Sequence, residues 1–252
     1  MIWSDTETGP VTVTVPDAGT LLDDLAVRFG EGAGFSVATL NLDHVVKLRS
    51  DPTFRAAYAA QSHVTADGNP IVWLSRLAGQ RDISLVPGSE LIEPVVTLAA
   101  KKGIPIGLFG ATEAALETTS AALKARHPEL VITFSEAPPM GFDPSGEMAG
   151  DFIKAIGKSG ARLVFLALGA PKQEVFAARA FAELPGVGFL SIGAGLDFIA
   201  GTQKRAPKWV RSLAAEWLWR LLSDPRRLTS RYAACLLILP GLTLRALKGR
   251  AV

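Results

Sequence analysis

Short apolar segments that favour β-strands alternate with amphipathic helical segments over most of the chain, and this alternation limits the available folds more than any other feature. The strand-like segments carry Val, Ile, Leu and Phe at consecutive positions. Such strands are buried on both faces, as in a parallel sheet covered by helices on both sides. We therefore expect an α/β fold with a Rossmann-like parallel sheet. The predicted strands are residues 11–15, 35–42, 63–66, 83–86, 104–109, 131–134, 163–168 and 189–192.

Helices are predicted in residues 20–29 and 43–60, from the turn at 67–70 to residue 77, and in residues 112–126 and 172–182, and only helices are predicted after about Thr202. Thr20 is the expected N-cap of the first helix, and Asp43 is that of a helix running to about residue 60. The last two predicted helices, 207–222 and 224–239, are rich in Trp, Leu and Arg. We therefore divide the chain into an α/β catalytic body, residues 1–202, and a basic amphipathic helical appendage, residues 203–252.

Charge is distributed unevenly between these two parts. Residues 203–252 contain eleven Lys and Arg against two acidic residues, a net charge of +9, whereas the whole chain carries only +2. A basic segment on an acidic body suits contact with the phosphates of a nucleotide diphosphate or of anionic lipid, although a solvated pair of basic helices explains it equally well. The mean hydropathy of +0.27 is high for a freely soluble enzyme and indicates an apolar contact surface.

The sequence argues against a disulfide, a metal site, secretion and a membrane-spanning segment. The single cysteine, Cys235, excludes an internal disulfide and a Cys-rich metal site. The three histidines stand singly, and the nearest match to a metal-holding Asp-x-Asp pair is Asp5-Thr6-Glu7, so we predict no metal site. We also predict no cofactor and no nucleic-acid partner. Residues 1–10 lack the features of a secretory signal, and no apolar run approaches the roughly 18–20 residues that span a bilayer. We expect a cytoplasmic protein that does not cross the membrane.

Polar residues and glycines follow several predicted strands. In an open parallel sheet, ligands bind at the carboxyl ends of the strands. Each of these residues alone could be an ordinary helix cap, but their common position predicts a site. The candidates are Thr39, Asn41, Asp67, Gly110, Gln173, Glu174 and the segment 193–197 with Asp197.

Asp67 is the sharpest candidate, because it lies in the tight turn Asp67-Gly68-Asn69-Pro70 at a strand end. A fixed, partly shielded carboxylate can act as a general base. The same carboxylate could instead accept the Gly68 and Asn69 amides in an Asx-turn. The glycine segments 108–112 and 168–171 join strands to helices but match neither the dinucleotide fingerprint nor the phosphate-binding loop, and tight-turn packing explains them just as well.

Together these segments resemble the bacterial WecG/TagA/CpsF glycosyltransferases from about Phe35 to Arg231. The motifs that carry the resemblance are Thr39-x-Asn41, Ala66-Asp67-Gly68-x-Pro70, Pro87-Gly88-Ser89-Glu90-Leu91, Gly169-Ala170-Pro171-Lys172-Gln173-Glu174, Gly193-Ala194-Gly195-Leu196-Asp197, Arg205-Ala206-Pro207-x-Trp209, Glu216-Trp217-Leu218-Trp219-Arg220-Leu221 and Pro225-Arg226-Arg227-x-x-x-Arg231.

The resemblance implies an inverting, metal-independent transferase that moves a hexose from a UDP-sugar to a sugar on undecaprenyl diphosphate. It implies a role in surface polysaccharide or exopolysaccharide synthesis, as a peripheral protein at the cytoplasmic face of the inner membrane. Asp67 matches the proposed base. The expected substrate-binding residues are Thr39, Asn41, Gly110, Gln173, Glu174, Asp197, Arg205, Arg220, Arg227 and Arg231.

The arginines of the appendage, Arg220, Arg227 and Arg231, are expected to close it over the pocket. Its apolar residues Leu213, Trp217, Leu221, Leu236 and Leu239 are those of an interfacial helix on an anionic membrane surface, with a buried helix pair as the alternative. Trp217 and Trp219 are two residues apart, so at least one of them should be exposed or at an interface.

One position departs from the family pattern: Leu85 stands where a basic residue is expected, and nearby Arg81 could replace it. The donor hexose (N-acetylmannosamine, its uronic acid or glucose) stays open, as do the acceptor and homo-oligomer formation. From the residues alone, a nucleotide-cofactor oxidoreductase and a non-catalytic scaffold of polysaccharide assembly remain alternatives, although the missing dinucleotide fingerprint counts against the first.

Overall fold

The computed structural model describes residues 2–5, 9–203, 206–207, 210 and 216–248. The strands are β1 (Ile2–Asp5), β2 (Gly9–Thr12), β3 (Phe35–Leu40), β4 (His63–Ala66), β5 (Ile106–Gly110), β6 (Ile132–Glu136), β7 (Leu163–Ala167) and β8 (Gly188–Ser191). The helices are α1 (Ala18–Glu31), α2 (Leu42–Leu48), α3 (Pro52–Ala59), α4 (Asn69–Leu77), α5 (Gly88–Lys101), α6 (Glu113–Arg126), α7 (Glu147–Ser159), α8 (Lys172–Glu183), α9 (Gly195–Ala200), α10 (Glu216–Ser223) and α11 (Pro225–Leu247).

Strands β3 to β8 form one parallel sheet in the order β4-β3-β8-β7-β5-β6, and β1 pairs with β2 in a separate antiparallel ribbon. Alternate side chains of β3 enter different cores. Phe35 and Val37 pack with residues of α1, α5 and α6, whereas Ala38 and Leu40 pack with residues of α2, α3 and α4. Because both faces of the sheet are covered, the strands need apolar residues at consecutive positions. The predicted α/β fold, with its parallel sheet and helical carboxyl-terminal segment, is confirmed.

The strand register aligns the ends of neighbouring strands. Thr39 pairs with Thr65 and Leu40 with Ala66, and the Asp67 amide continues this ladder by donating to the Leu40 carbonyl at 2.7 Å. Across the rest of the sheet, β8 ends beside β7, and β7 ends beside Gly110 of β5. The residues that follow these strands therefore meet at one border of the sheet, which we call the carboxyl edge.

Helix α11 packs against α2 and α4 of the body. Its buried residues, Leu228, Cys235, Leu242 and Ala246, recur at spacings of seven and four and so form one helical face. Leu242 and Ala246 belong to the same core cluster as the apolar residues of α2 to α4. The appendage therefore contributes part of this core.

Several local predictions are wrong. Asp17, not Thr20, caps α1, and Asn41, not Asp43, caps α2, because each of these two side chains accepts an amide three residues ahead. The helix predicted to reach residue 60 is two helices, since Asp51 caps a new one before Pro52. Residues 83–86 form no strand, although the Val86 amide donates to the Ala66 carbonyl at 2.8 Å.

Three helices, α5, α7 and α9, are not predicted from the sequence, and α11 continues through Pro240 to Leu247 instead of ending at Leu239. Pro94 lies inside α5, and glycines stand in and around α7, so neither carries a strong helix signal. None of the helices in the described part of the chain is both long and apolar enough to cross a bilayer.

Because β5 lies tightly against β7 at Gly110, we expect the substitution Gly110→Ala to destabilise the protein. Gly110 has φ +112°, and a Cβ there would lie 2.5 Å from the Ala167 backbone. We expect this variant to lose about 1–3 kcal/mol of unfolding free energy, measured by urea unfolding. In the control Gly30→Ala, the new Cβ meets no described atom within 4 Å, and helix propensity favours alanine. Equal midpoints of urea unfolding for Gly110→Ala and the wild type would contradict the close packing of Gly110 against Ala167.

Candidate active site

Asn41 joins the end of β3 to the start of α2. Its Oδ1 accepts the His44 amide at 3.0 Å, so the side chain serves as the helix cap. The strand register places Asn41 beside Asp67, the first residue after β4. The backbones of these two predicted site residues are therefore neighbours, while a role of Asn41 in substrate binding stays a prediction.

A buried polar cluster lies beneath the start of α2. The Tyr58 hydroxyl lies 2.6 Å from His44 Nδ1 and 3.3 Å from the carbonyl oxygen of Thr39. Burial, with the nearby Lys47 charge as a lesser cause, lowers the pKa of His44 to about 3, so this imidazole is neutral at physiological pH. Burial also raises the pKa of Tyr58 well above its usual value, with smaller contributions from Glu174 and Asp67. Both carboxyl groups therefore act electrostatically on the Tyr58 hydroxyl.

Asp67 is partly buried at the end of β4, where the chain turns directly into α4. The turn depends on Gly68, whose φ of +108° lies in the region that favours glycine. The amide of Asp67 is held by the Leu40 carbonyl. This backbone anchor fixes the position of Asp67 between β3 and the start of α4.

Gln173 and Glu174 are buried at the start of α8. Gln173 Nε2 donates to Glu174 Oε1 at 2.8 Å, and Gln173 Oε1 accepts the Gly193 amide at 3.1 Å. Gln61 Nε2 donates to the Glu174 carbonyl oxygen at 3.2 Å. Burial raises the pKa of Glu174 to about 7, even though the Gln173 hydrogen bond and the Lys47 charge oppose this. The Gln173 side chain therefore connects α8 to the turn after β8, and the Glu174 carboxyl group accepts its amide hydrogen.

Glycine turns border open space at the carboxyl edge. Gly169, after β7, has φ +72°, and Gly193, after β8, has φ +56°. A Cβ at either position would meet no described atom within 4 Å. Gly110, by contrast, lies tightly against β7, which gives it a packing role whether or not it also contacts substrate. The turns after β7 and β8 therefore have open space next to these two glycines.

The amino terminus of α5 reaches the same edge. A Cβ on Gly88 would lie 2.9 Å from the Ser191 carbonyl oxygen and 3.3 Å from Thr39 Cγ2, so only glycine lets the helix start so close to β3 and β8. The positive end of the helix dipole therefore lies beside Thr39. The sequence does not reveal this contribution, because α5 itself is not predicted.

Three charged side chains complete the edge. The carboxylate of Asp43, 9 % exposed, pairs with Lys47 Nζ at 2.9 Å and with Arg231 Nε at 3.1 Å. Lys47 Nζ also donates to the Ala170 carbonyl oxygen at 3.1 Å, in the turn after β7. Arg231, predicted as a site residue of the appendage, is thus brought to the body. The pairing of Asp43 and Lys47 fits their spacing of four along α2, but their contacts outside the helix have no sequence signal.

The remaining predicted site residues are placed as follows. Asp197 accepts the Thr202 hydroxyl at 3.2 Å and Gln203 Nε2 at 3.3 Å, which holds the turn after α9. Arg205 lies outside the described residues. Arg220 and Arg227 lie in α10 and α11, but their side chains are outside the described part of the chain. Arg81 and Leu85 are both exposed.

A comparison with protein-family models bears directly on this site. The model described as "Glycosyl transferase WecG/TagA/CpsF family" matches residues 8–251, nearly the whole chain. The matched range includes every predicted site residue, from Thr39 to Arg231. It also covers both the body and the appendage.

The buried Glu174 carboxyl predicts a pH-dependent stability. Its pKa is about 7 in the folded state against an ordinary value of 4.5, so the folded state holds this proton more tightly. The stabilisation is complete below pH 4.5 and is lost as the pH rises through about 7. Glu174→Gln keeps an oxygen that can accept from Gln173 but does not titrate.

The unfolding free energy of Glu174→Gln relative to the wild type should therefore rise between pH 4.5 and pH 8, by about 3 kcal/mol at most. Urea unfolding of both proteins across this range measures the difference directly. A difference that stays constant with pH would show that Glu174 does not hold its proton in the folded state.

Proposed function

Since the chain belongs to the WecG/TagA/CpsF family, and is therefore a glycosyltransferase of cell-envelope polymer synthesis, we propose that it moves a hexose from a UDP-sugar to a sugar carried on a polyprenyl diphosphate. Family membership argues against the oxidoreductase and scaffold alternatives. The observation that carries the proposal is the strand register that sets Asp67 beside Asn41 at the open carboxyl edge.

In the proposed reaction, Asp67 acts as the general base. Its carboxylate takes the proton of the acceptor hydroxyl while that oxygen forms a bond to the anomeric carbon. The bond from the anomeric carbon to the UDP oxygen breaks on the opposite face, so the configuration inverts. The backbone anchor of Asp67 and the nearby buried cluster support this role, since a base must be held in a fixed position.

The departing diphosphate needs positive charge. The start of α5 beside Thr39, together with Lys47 and Arg231, offers helix amides and cations at the same edge. We assign charge stabilisation to these groups rather than to a divalent ion. Thr39, Asn41, Gly110, Gln173, Glu174, Asp197, Arg205, Arg220 and Arg227 remain proposed binding residues around donor and acceptor.

Replacement of the proposed base tests this mechanism. Asp67→Asn should lower kcat about 10²–10⁴-fold, because an amide cannot take the proton, while the melting temperature and UDP binding are kept. The control Asp151→Asn removes a carboxylate that is 74 % exposed on α7 and should turn over normally. The assay follows transfer of labelled hexose to a lipid-linked acceptor. Normal turnover by Asp67→Asn would reject Asp67 as the base.

We further propose that the appendage rests on an anionic membrane surface, at the cytoplasmic face of the membrane. Helix α11 has a second apolar face opposite the buried one, and its exposed residues are Leu236, Leu237, Leu244 and Leu247. Arg245 and Lys248 are exposed near its end. An exposed apolar face with adjacent cations fits a bilayer surface rich in acidic lipid.

Individual side chains of the appendage differ in exposure. Trp217 is 46 % exposed, which confirms that at least one of the two tryptophans reaches the surface. Leu236 is exposed as expected, but Leu239 packs against the core of the body. Leu213 lies outside the described residues. The exposed face of α11 is therefore the part of the appendage best placed for membrane contact.

Negative charge placed on this face should weaken membrane binding. The double variant Leu237→Asp/Leu244→Asp should bind phosphatidylglycerol vesicles at least about tenfold more weakly, because two leucines that would enter the bilayer surface are lost and negative charge is added. Vesicle sedimentation measures the binding. Val27→Asp, on the exposed side of α1, is the control and should bind like the wild type. Equal binding of the double variant would place the membrane contact elsewhere.

A further inference from the structure

The carboxylate of Asp43 joins three separate parts of the molecule. One oxygen pairs with Arg231 of α11, and the other pairs with Lys47 of its own helix. Lys47 in turn holds the Ala170 carbonyl oxygen in the turn between β7 and α8. A single nearly buried anion therefore connects the appendage to the turn that leads into Gln173.

The ion pairs of Asp43 favour one position of α11 on the body. A carboxylate that loses one of its cations while buried is strongly disfavoured, so Asp43 favours the docked position of α11. The contact between Arg231 Nε and Asp43 Oδ1 is an ion pair without hydrogen-bond geometry, and Nε carries only one of the five N–H donors of the guanidinium. Arg231 can therefore be held by Asp43 and still present donors to a phosphate group.

We propose that Asp43 is a positioning residue, which sets Arg231 over the carboxyl edge and couples the docking of α11 to the turn after β7. Its effect on catalysis rests on the proposed function, in which Arg231 stabilises the departing diphosphate. Its effect on docking does not depend on any activity. The two consequences can therefore be measured separately.

Cys235 supplies the readout for docking. It lies four residues after Arg231 on the same helix face, it is 6 % exposed, and it is the only cysteine of the chain. Burial raises the pKa of this thiol to about 11, with a smaller contribution from Asp43. The thiol should react slowly while α11 is docked and faster when the helix leaves the body.

The test compares Asp43→Asn, Arg231→Gln and the double variant by alkylation of Cys235 with a maleimide. Each single variant should react several-fold faster than the wild type, and the double variant no faster than the faster single one, since both changes break the same pair. Asp43→Glu should restore slow labelling at least in part. Asp151→Asn and Arg226→Gln, which remove exposed charges, are the controls and should label like the wild type.

The catalytic measurement uses the same variants in the transfer assay. We expect kcat to fall about tenfold or more in Asp43→Asn and in Arg231→Gln, with little change in the donor KM and no further loss in the double variant. Additive losses would overturn the proposed coupling, as would unchanged kcat in Asp43→Asn.

Unchanged labelling in every variant would overturn the docking role. If Asp43→Asn does not fold, the labelling rate of Arg231→Gln alone tests the docking role. Arg231 is about one-third exposed, so its loss is better tolerated. If the wild type transfers no hexose from any UDP-sugar, the proposed function fails, and the labelling rates still judge the role of Asp43 in docking.

Discussion

The parallel pairing of β3 with β4 on one side and β8 on the other is the constraint on which the candidate site depends. The pairing sets the end of β3 level with the end of β4, and the hydrogen bond from the Asp67 amide to the Leu40 carbonyl carries this alignment one residue beyond β4. A shift of one residue would turn Asp67 to the other face of the sheet. The apolar side chains buried on both faces of β3 prevent such a shift, so the packing of the core positions the site.

Two buried carboxyl groups near this edge differ in their side-chain partners, and these partners determine how each buried carboxyl group is stabilised. Asp43 is held between Lys47 and Arg231, and these cations compensate its charge. Glu174 has a glutamine as its side-chain partner, and burial raises its pKa to about 7. The first carboxyl can link separate parts of the fold electrostatically. The second orients the amide of Gln173, which in turn holds the turn at Gly193.

The strands of the sheet can be predicted because short runs of consecutive apolar residues between amphipathic helices suit strands that are buried on both faces. The turn at Asp67 stands out through its glycine and proline. Features that depend on distant partners have no such local signal. Asp43 resembles a helix cap until α11 is seen to place Arg231 against it, and Asn41 provides the cap instead. Helix α5 carries an internal proline, so its start beside Thr39 is not evident. The pKa of Glu174 results from burial in the fold, which no local pattern reveals.

We propose above all that the carboxyl edge holds the nucleotide sugar with Asp67 next to the reacting carbon. A crystal structure of the protein with bound UDP measures this most directly. We expect the diphosphate at the carboxyl edge, between the start of α5 and Arg231, with Asp67 facing the space beside the terminal phosphate. UDP bound at the amino ends of the strands, or in the surface cavity of about 210 Å³ lined by Pro139, Met140 and Phe142, would contradict it.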